Sequence, residues 1–392
     1  MAPILPIVLA CHFLAAFTVL GVPLFLPTLL RGFSVAPDSP WIGLIATLPT
    51  VLMALSTPYW GRFADRYGRR RSLQRALLGL ALAFAWAGVA PSLPWLIAAL
   101  ALQGLAGGTL AAANGYLYRA CPGERLAHAL NWTQFSARLA LLTAPPLIGA
   151  ALEFAPPQAQ RLWLWLALLP LLALLLTRWL PDDRGPAWEN GEDRPQRGAA
   201  ASTAAPAGYT LLRVQQILFS FAMVVTFPYF LPYAQPWVAG SAMVGALYSW
   251  PHLLYLLLLP PAHRTAASRH HLPLGLALLA IAALWQYALS GAAALLAART
   301  LFGVGILLAY AGLNRRIAER LRAHDAAYRL AQLDAAGKWA GVGAGLCAAL
   351  LSAQASPSAP FIASAVAALA ALALCLVFPF KEPCHDHRCP DA

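Results

Sequence analysis

Charge is what this sequence has least of. Only 11% of its 392 residues are Asp, Glu, Lys or Arg, while 60% are AVILMFWYC; an average soluble domain is about 25% charged. A water-soluble chain of this length needs far more polar surface, so the protein meets lipid. Acid is the scarcer sign, with 15 Asp and Glu against 27 Lys and Arg, a net charge of +12. Such an excess raises nucleic acid as a partner, but here the bases lie between long apolar runs, which is the pattern of loop charge in membrane proteins. No nucleic-acid partner is expected. The six cysteines form no secreted-type framework, and Cys11, Cys347 and Cys375 sit in apolar runs, where Cys behaves as a small hydrophobe. No G-x-x-x-x-G-K-[ST] pattern occurs, which argues against ATP hydrolysis by this chain, and HExxH is missing too. With no intramembrane Ser/His or paired-acid constellation, the chain is not expected to be an enzyme or to need a cofactor.

Long apolar runs are what the sequence does have. A helix needs roughly 20 apolar residues to cross ~30 Å of hydrocarbon. Twelve runs qualify, at about 4–30, 40–60, 74–91, 93–117, 129–151, 161–180, 209–231, 238–259, 272–289, 291–313, 329–352 and 359–380. They are continuous, rich in Leu and Ala and without period-2 alternation, so they predict helices and not barrel strands. The N-terminus has no basic stretch before its apolar run and reads as a retained first span, not a cleaved leader. Arginines set the expected orientation. Arg62, Arg66, Arg69, Arg70, Arg71, Arg75, Arg119, Arg125, Arg184, Arg194, Arg197, Arg264, Arg269, Arg315, Arg316, Arg320 and Arg322 follow even-numbered spans, against Arg31 and Arg161 on the other side. Both termini are therefore expected in the cytoplasm of a bacterial-type inner membrane. The polar stretch 181–208 divides the chain into a six-span unit at 1–180 and another at 209–380, with a tail at 381–392.

The halves match one another. Val22-Pro23-Leu24-Phe25-Leu26-Pro27 is echoed by Phe227-Pro228-Tyr229-Phe230-Leu231-Pro232, and Gly43 with Pro49 by Gly245 with Pro251. Asn114, Gln134 and Arg138 are echoed by Asn314, Asp334 and Lys338, each at an offset of 200. Two parallel six-helix halves are a transporter plan, with substrate held near the midplane and exposed alternately to either side. A duplicated scaffold or membrane sensor without transport is the rival of another class.

Between the second and third spans lies Gly61-Arg62-Phe63-Ala64-Asp65-Arg66-Tyr67-Gly68-Arg69-Arg70-Arg71. This resembles the G-x-x-x-D-R-x-G-R-[KR]-[KR] signature of the major facilitator superfamily, in its defining position. The resemblance implies an all-α membrane protein of twelve helices in two pseudo-symmetric halves, working by alternating access. It also implies a gating role for Gly61, Asp65, Arg66, Gly68 and Arg69, whose loop in the family latches the cytoplasmic gate against the eleventh span. Gly61 and Gly68 permit a tight turn and close helix approach, and Asp65, the only acid in a basic loop, is expected to have an ionic or helix-N-terminal partner. The C-half counterpart, 261–271, lacks the Asp and both glycines. Two exporter marks are eroded: Gln103 stands where the fourth span would carry Arg, and the fifth-span antiporter signature survives as Ala140 to Ala150 around Pro145. The tenth span keeps Arg299-Thr300-Leu301-Phe302-Gly303.

Ionisable groups inside spans cost several kcal/mol unless paired or hydrated, so each is a functional candidate. Arg138 and Lys338, at repeat-related positions on helices that face each other in the family, invite an anion, unless Asp334 neutralises Lys338 four residues away. Gln134, Asn114, Trp339 and Tyr116 are expected to complete a substrate cavity. Asp334, His12 and His252 are the candidates for carrying protons, and Arg299 and Pro145 for structure or cavity wall. The tail Cys384-His385-Asp386-His387-Arg388-Cys389 has no standard zinc spacing, and no metal site is expected. The reading is a monomeric secondary transporter that exports a small organic molecule, anionic or zwitterionic, in exchange for protons; carboxylate metallophores and drug-like compounds both fit. The alternative within transport is an importer of an organic anion.

Overall fold

A computed structural model describes residues 4–120, 124–154, 160–183, 208–264, 268–320 and 326–378. Most of the 181–208 stretch and the Cys384–Cys389 tail lie outside the described residues. Helix accounts for nearly everything between, as the Leu and Ala runs predict. Ten helices among the described residues are long and apolar enough to cross a membrane. Two more complete the twelve-helix plan. The third, Arg69–Gly88, is made less apolar by Arg69, Arg70, Arg71 and Arg75 at its start. The seventh is broken, as Tyr209–Val224 and then Phe230–Ala234. Pro228 sits in the break, and its repeat partner Pro23 lies in the matching 3-10 turn, Val22–Phe25, of the first span. Proline has no N–H to continue the ladder, so both spans break at the repeated sequence.

Packing repeats with the sequence. In the first half the first span packs on the fifth and sixth, the third on the fourth and sixth, and the second on the fourth; adding six to each number gives the contacts of the second half. The halves meet along two seams that the repeat also relates, fifth against eighth span and second against eleventh.

Both seams are closed at the end of the bundle opposite the Tyr67–Arg69 turn, here called the far side; the end bearing that turn is the linker side. A Cβ on Gly43 would lie 2.6 Å from the carbonyl of Gly345 and 2.7 Å from the Cβ of Ala349. In the other seam Gly149 lies against the Ser241 carbonyl and Gly245 against the Pro145 carbonyl, with no room for a side chain at either. Two side chains cross the far side to cap helices of the other half. Glu153 accepts the N–H of Ala242 at 2.8 Å, and the buried Tyr229 hydroxyl accepts the N–H of Gly43 at 3.2 Å while donating to the Ser39 carbonyl at 2.9 Å. These groups satisfy N–H donors that the first turn of any helix leaves without partners. Gly61, near the linker end of the second span, has nothing within 4 Å of a Cβ.

Candidate functional site

Arg138 stands near the middle of the fifth span (Glu124–Phe154), on the face toward the eighth span (Ser241–Arg264). That face is set by proline. Pro145 has no N–H for the carbonyl four residues before it, and the Ser249 hydroxyl of the eighth span donates to that Leu141 carbonyl at 2.8 Å. Arg138 lies seven residues before Pro145, two turns along the same stripe. Its Nη1 donates to Nδ1 of His252 at 3.2 Å. A guanidinium cannot accept, so the imidazole carries its proton at Nε2. The guanidinium carbon sits 4.6 Å from the ring centroid of Tyr255 and 5.0 Å from that of Tyr310, within cation–π range. Among the described residues no carboxylate pairs with Arg138.

His252 is placed by a second proline device. Pro251 leaves the Leu247 carbonyl without its helical donor, and Arg299 supplies one from the tenth span: Nε to Leu247 at 3.2 Å and Nη2 to the Tyr248 carbonyl at 2.6 Å. Arg299 is 3% exposed and is surrounded by the rings of Phe230, Tyr248 and Phe302. It braces the eighth span from the tenth.

Lys338 pairs with Asp334 at 2.7 Å, one turn apart on the eleventh span. Both are partly exposed, on the stripe that continues to Gly345 against Thr47 of the second span. No hydrogen bond or ion pair joins Lys338 to Arg138 among the described residues. The two repeat-related cations therefore have different surroundings: aromatic rings and a histidine for one, its own carboxylate for the other. Gln134 and Trp339 are exposed and Asn114 is half-buried, with a buried Oδ1 that has no hydrogen-bond partner. Tyr116 is 0% exposed and its hydroxyl donates to the Pro181 carbonyl at 3.0 Å. It ties the fourth span to the end of the sixth. His12 is also buried, bonded to Ser136 at 3.2 Å between the first and fifth spans of one half.

In the gating segment, Gly68 has φ of 94°, which glycine adopts readily, and it ends the second span and begins the third. Gly61 makes no close approach in this conformation. Asp65 pairs with Arg69 at 2.5 Å, and Arg66 lies 5.3 Å from the Tyr67 ring. The acid at the N-terminus of the third span is Asp183, which accepts the N–H of Arg69 at 2.6 Å and of Arg70 at 3.3 Å. Asp183 is 1% exposed, so the first residues of the polar stretch dock onto the bundle. Arg70 in turn donates to the carbonyls of Thr177 and Arg178 at the end of the sixth span, where a cation suits the helix dipole. Arg75 lies 3.5 Å from the Trp60 ring and donates to the Ala106 carbonyl at 2.6 Å, at the break of the fourth span. Among the described residues no group of three metal-ligating side chains is present.

Comparison with known proteins agrees with this geometry. A family model described as Major Facilitator Superfamily matches residues 8–238. The chain is 34% identical over 92 residues to the multidrug resistance protein MdtG of Erwinia billingiae (strain Eb661), covering 24% of this chain and 22% of that protein. It is 30% identical over 131 residues to MdtG of Enterobacter lignolyticus (strain SCF1), covering 33% and 31%. These matches span less than a third of the relatives' length. Among solved structures the xylose transporter XylE from E. coli, in a partially occluded inward open conformation, superposes with a TM-score of 0.75 at 11% identity, over 96% of this chain and 99% of that one. The human organic anion transporter MFSD10 gives 0.68 at 17% identity, over 95% and 98%. At these identities the structures speak for the fold alone.

Proposed function

The chain belongs to the major facilitator superfamily, and on that premise we propose that this multi-pass membrane transporter exports a small organic anion or zwitterion in exchange for protons. One observation carries the reading: Arg138 is a cation at mid-depth, in the seam between the halves, with no acidic partner among the described residues. A charge held there without a counter-ion is costly, and a negatively charged substrate supplies what is lacking. The multidrug resistance relatives support export, and the arginine pattern supports an inner membrane with both termini and the linker side in the cytoplasm. Asp334, exposed beside Lys338, is the proton carrier, because protonating it frees Lys338 and ionising it restores the pair.

That same pair favours a second reading, uptake of the anion together with protons. An anion on Lys338 would release Asp334 to take a proton, so that the two bind together. Proteoliposomes decide between them. With an imposed pH gradient, N-acetylphenylalaninate moving against the proton flow supports exchange, and movement with it supports uptake. No substrate-dependent proton flux overturns both readings and leaves a sensor or scaffold.

A further inference from the structure

Arg138 is boxed by groups of the other half that the repeat does not explain. The internal repeat provides the comparison. Gly43 and Pro49 of the second span align with Gly245 and Pro251 of the eighth, which sets Thr50 opposite His252 and Met53 opposite Tyr255. The register of Asn114 and Asn314 sets Leu110 opposite Tyr310. Lys338, the counterpart of Arg138, is therefore offered none of these rings and takes Asp334 instead. The box belongs to one seam only.

Its chemistry is one-sided too. Arg138 has five N–H donors and spends one on His252. Tyr255 and Tyr310 border the guanidinium from two sides, their rings 6.2 Å apart and at 79° to one another, and its remaining N–H donors can grip a carboxylate bidentately. Neither phenol has a hydrogen-bond partner among the described residues, and both tyrosines are half-buried. His252 holds its remaining N–H at Nε2. Among the described residues no carboxylate competes for the remaining N–H donors of Arg138. Lys338 is paired on its own helix and Arg299 is 3% exposed and turned onto the Leu247 and Tyr248 carbonyls, so Arg138 is the half-buried cation left to meet an anion. A tetrahedral dianion would leave an uncompensated charge within the membrane, whereas a planar monoanion balances it. Behind these groups the buried Phe219 ring supports Tyr310 at 4.9 Å, and Tyr248 lies 6.2 Å from the His252 ring.

We propose that Arg138, Tyr255 and Tyr310 form a carboxylate clamp spanning the two halves. It takes a monocarboxylate with an aromatic or apolar body, and the two phenol hydroxyls determine specificity. This rests on the anion reading given above and narrows it. Purified full-length protein in detergent would be titrated with N-acetylphenylalaninate, its neutral amide and its phosphonate analogue. The expected order is carboxylate tightest, by about tenfold over the amide. Tyr255→Phe and Tyr310→Phe keep the rings and remove only the hydroxyls. Each should weaken carboxylate binding by about tenfold, as expected for a lost hydrogen bond to a charged group, and leave amide binding unchanged. Carboxylate binding that is undiminished in both variants but lost in Arg138→Gln overturns the clamp and leaves the anion reading standing. No preference for carboxylate over amide in the wild type, or no binding of the carboxylate at millimolar concentration, overturns both. Tighter binding of the phosphonate overturns the monoanion assignment.

Discussion

The carboxylate of Glu153 accepts the backbone N–H of Ala242 at 2.8 Å, so the last turn of the fifth span caps the first turn of the eighth in the other half. Tyr229 does the equivalent service for the second span through Gly43. Both contacts must break when the far side opens. Each is therefore a latch on the conformation seen here, and removing a helix cap of this kind costs roughly 0.5–2 kcal/mol.

Glu153→Ala and Tyr229→Phe should shift the molecule toward the far-side-open state, by about tenfold in population for each ~1.4 kcal/mol lost. Spin labels at Phe154 and Gln354, one in each half and both on the far side, read this directly. The variants should gain a longer-distance population. Distributions identical to the parent's would remove the latch role.

Glycine at 245 is a separate matter of space. The Pro145 carbonyl lies where a side chain would begin, so Gly245→Val should prevent far-side closure and stop net transport, with the label distance fixed at its long value. Gly61→Ala meets nothing within 4 Å in this conformation and should leave the far-side-closed population intact. Normal transport by Gly245→Val would mean that the seam parts at that depth during the cycle without needing to close.

The extent to which this was legible in sequence follows from how each feature is encoded. Twelve spans and the repeat are local or periodic signals, and the fold reproduces them; the breaks at Pro23 and Pro228 fall inside runs read as continuous, at the sequence the repeat shares. The pairing of Lys338 with Asp334 was legible for the same reason, being four residues apart on one helix. Tyr255, Tyr310 and Glu153 were not. Two tyrosines among 12, inside apolar runs, carry no mark until two spans are packed against Arg138. Asp183 was read as part of a solvated stretch because composition there is averaged over many polar residues. The one clue was its place directly after the sixth span, within reach of the basic loop. The bond of Tyr116 to the Pro181 carbonyl of its own bundle was equally hidden, because a sequence without its neighbours does not reveal which way a polar atom points.

Asp334 and Lys338 bear on coupling more than on stability. An exposed pair one turn apart contributes only about 0.3–0.5 kcal/mol, so Asp334→Asn should fold and melt as the parent does. If Asp334 carries the proton, the variant should still exchange substrate down its own gradient while substrate-dependent proton movement, followed with a trapped pH dye, disappears. Proton flux at the parental rate would take the role from Asp334 and leave His252, in contact with Arg138, as the next group to test.

Asp183 should matter to stability and not to cargo. Its carboxylate is 1% exposed and receives two backbone N–H groups at the start of the third span, where the helix dipole favours negative charge. Asp183→Asn removes that charge and can turn an N–H donor toward the donors it should accept. The loss expected for a buried hydrogen-bonding group is about 1–3 kcal/mol, and the midpoint of thermal unfolding in detergent should fall accordingly. Its neighbour Asp182 is exposed, so Asp182→Asn should leave the midpoint unchanged and controls for a general effect of charge. Transport per folded molecule should be unaffected in both. An Asp183→Asn protein as stable as the parent would mean that Arg70, through its bonds to Thr177 and Arg178, holds the third and sixth spans together without the acid.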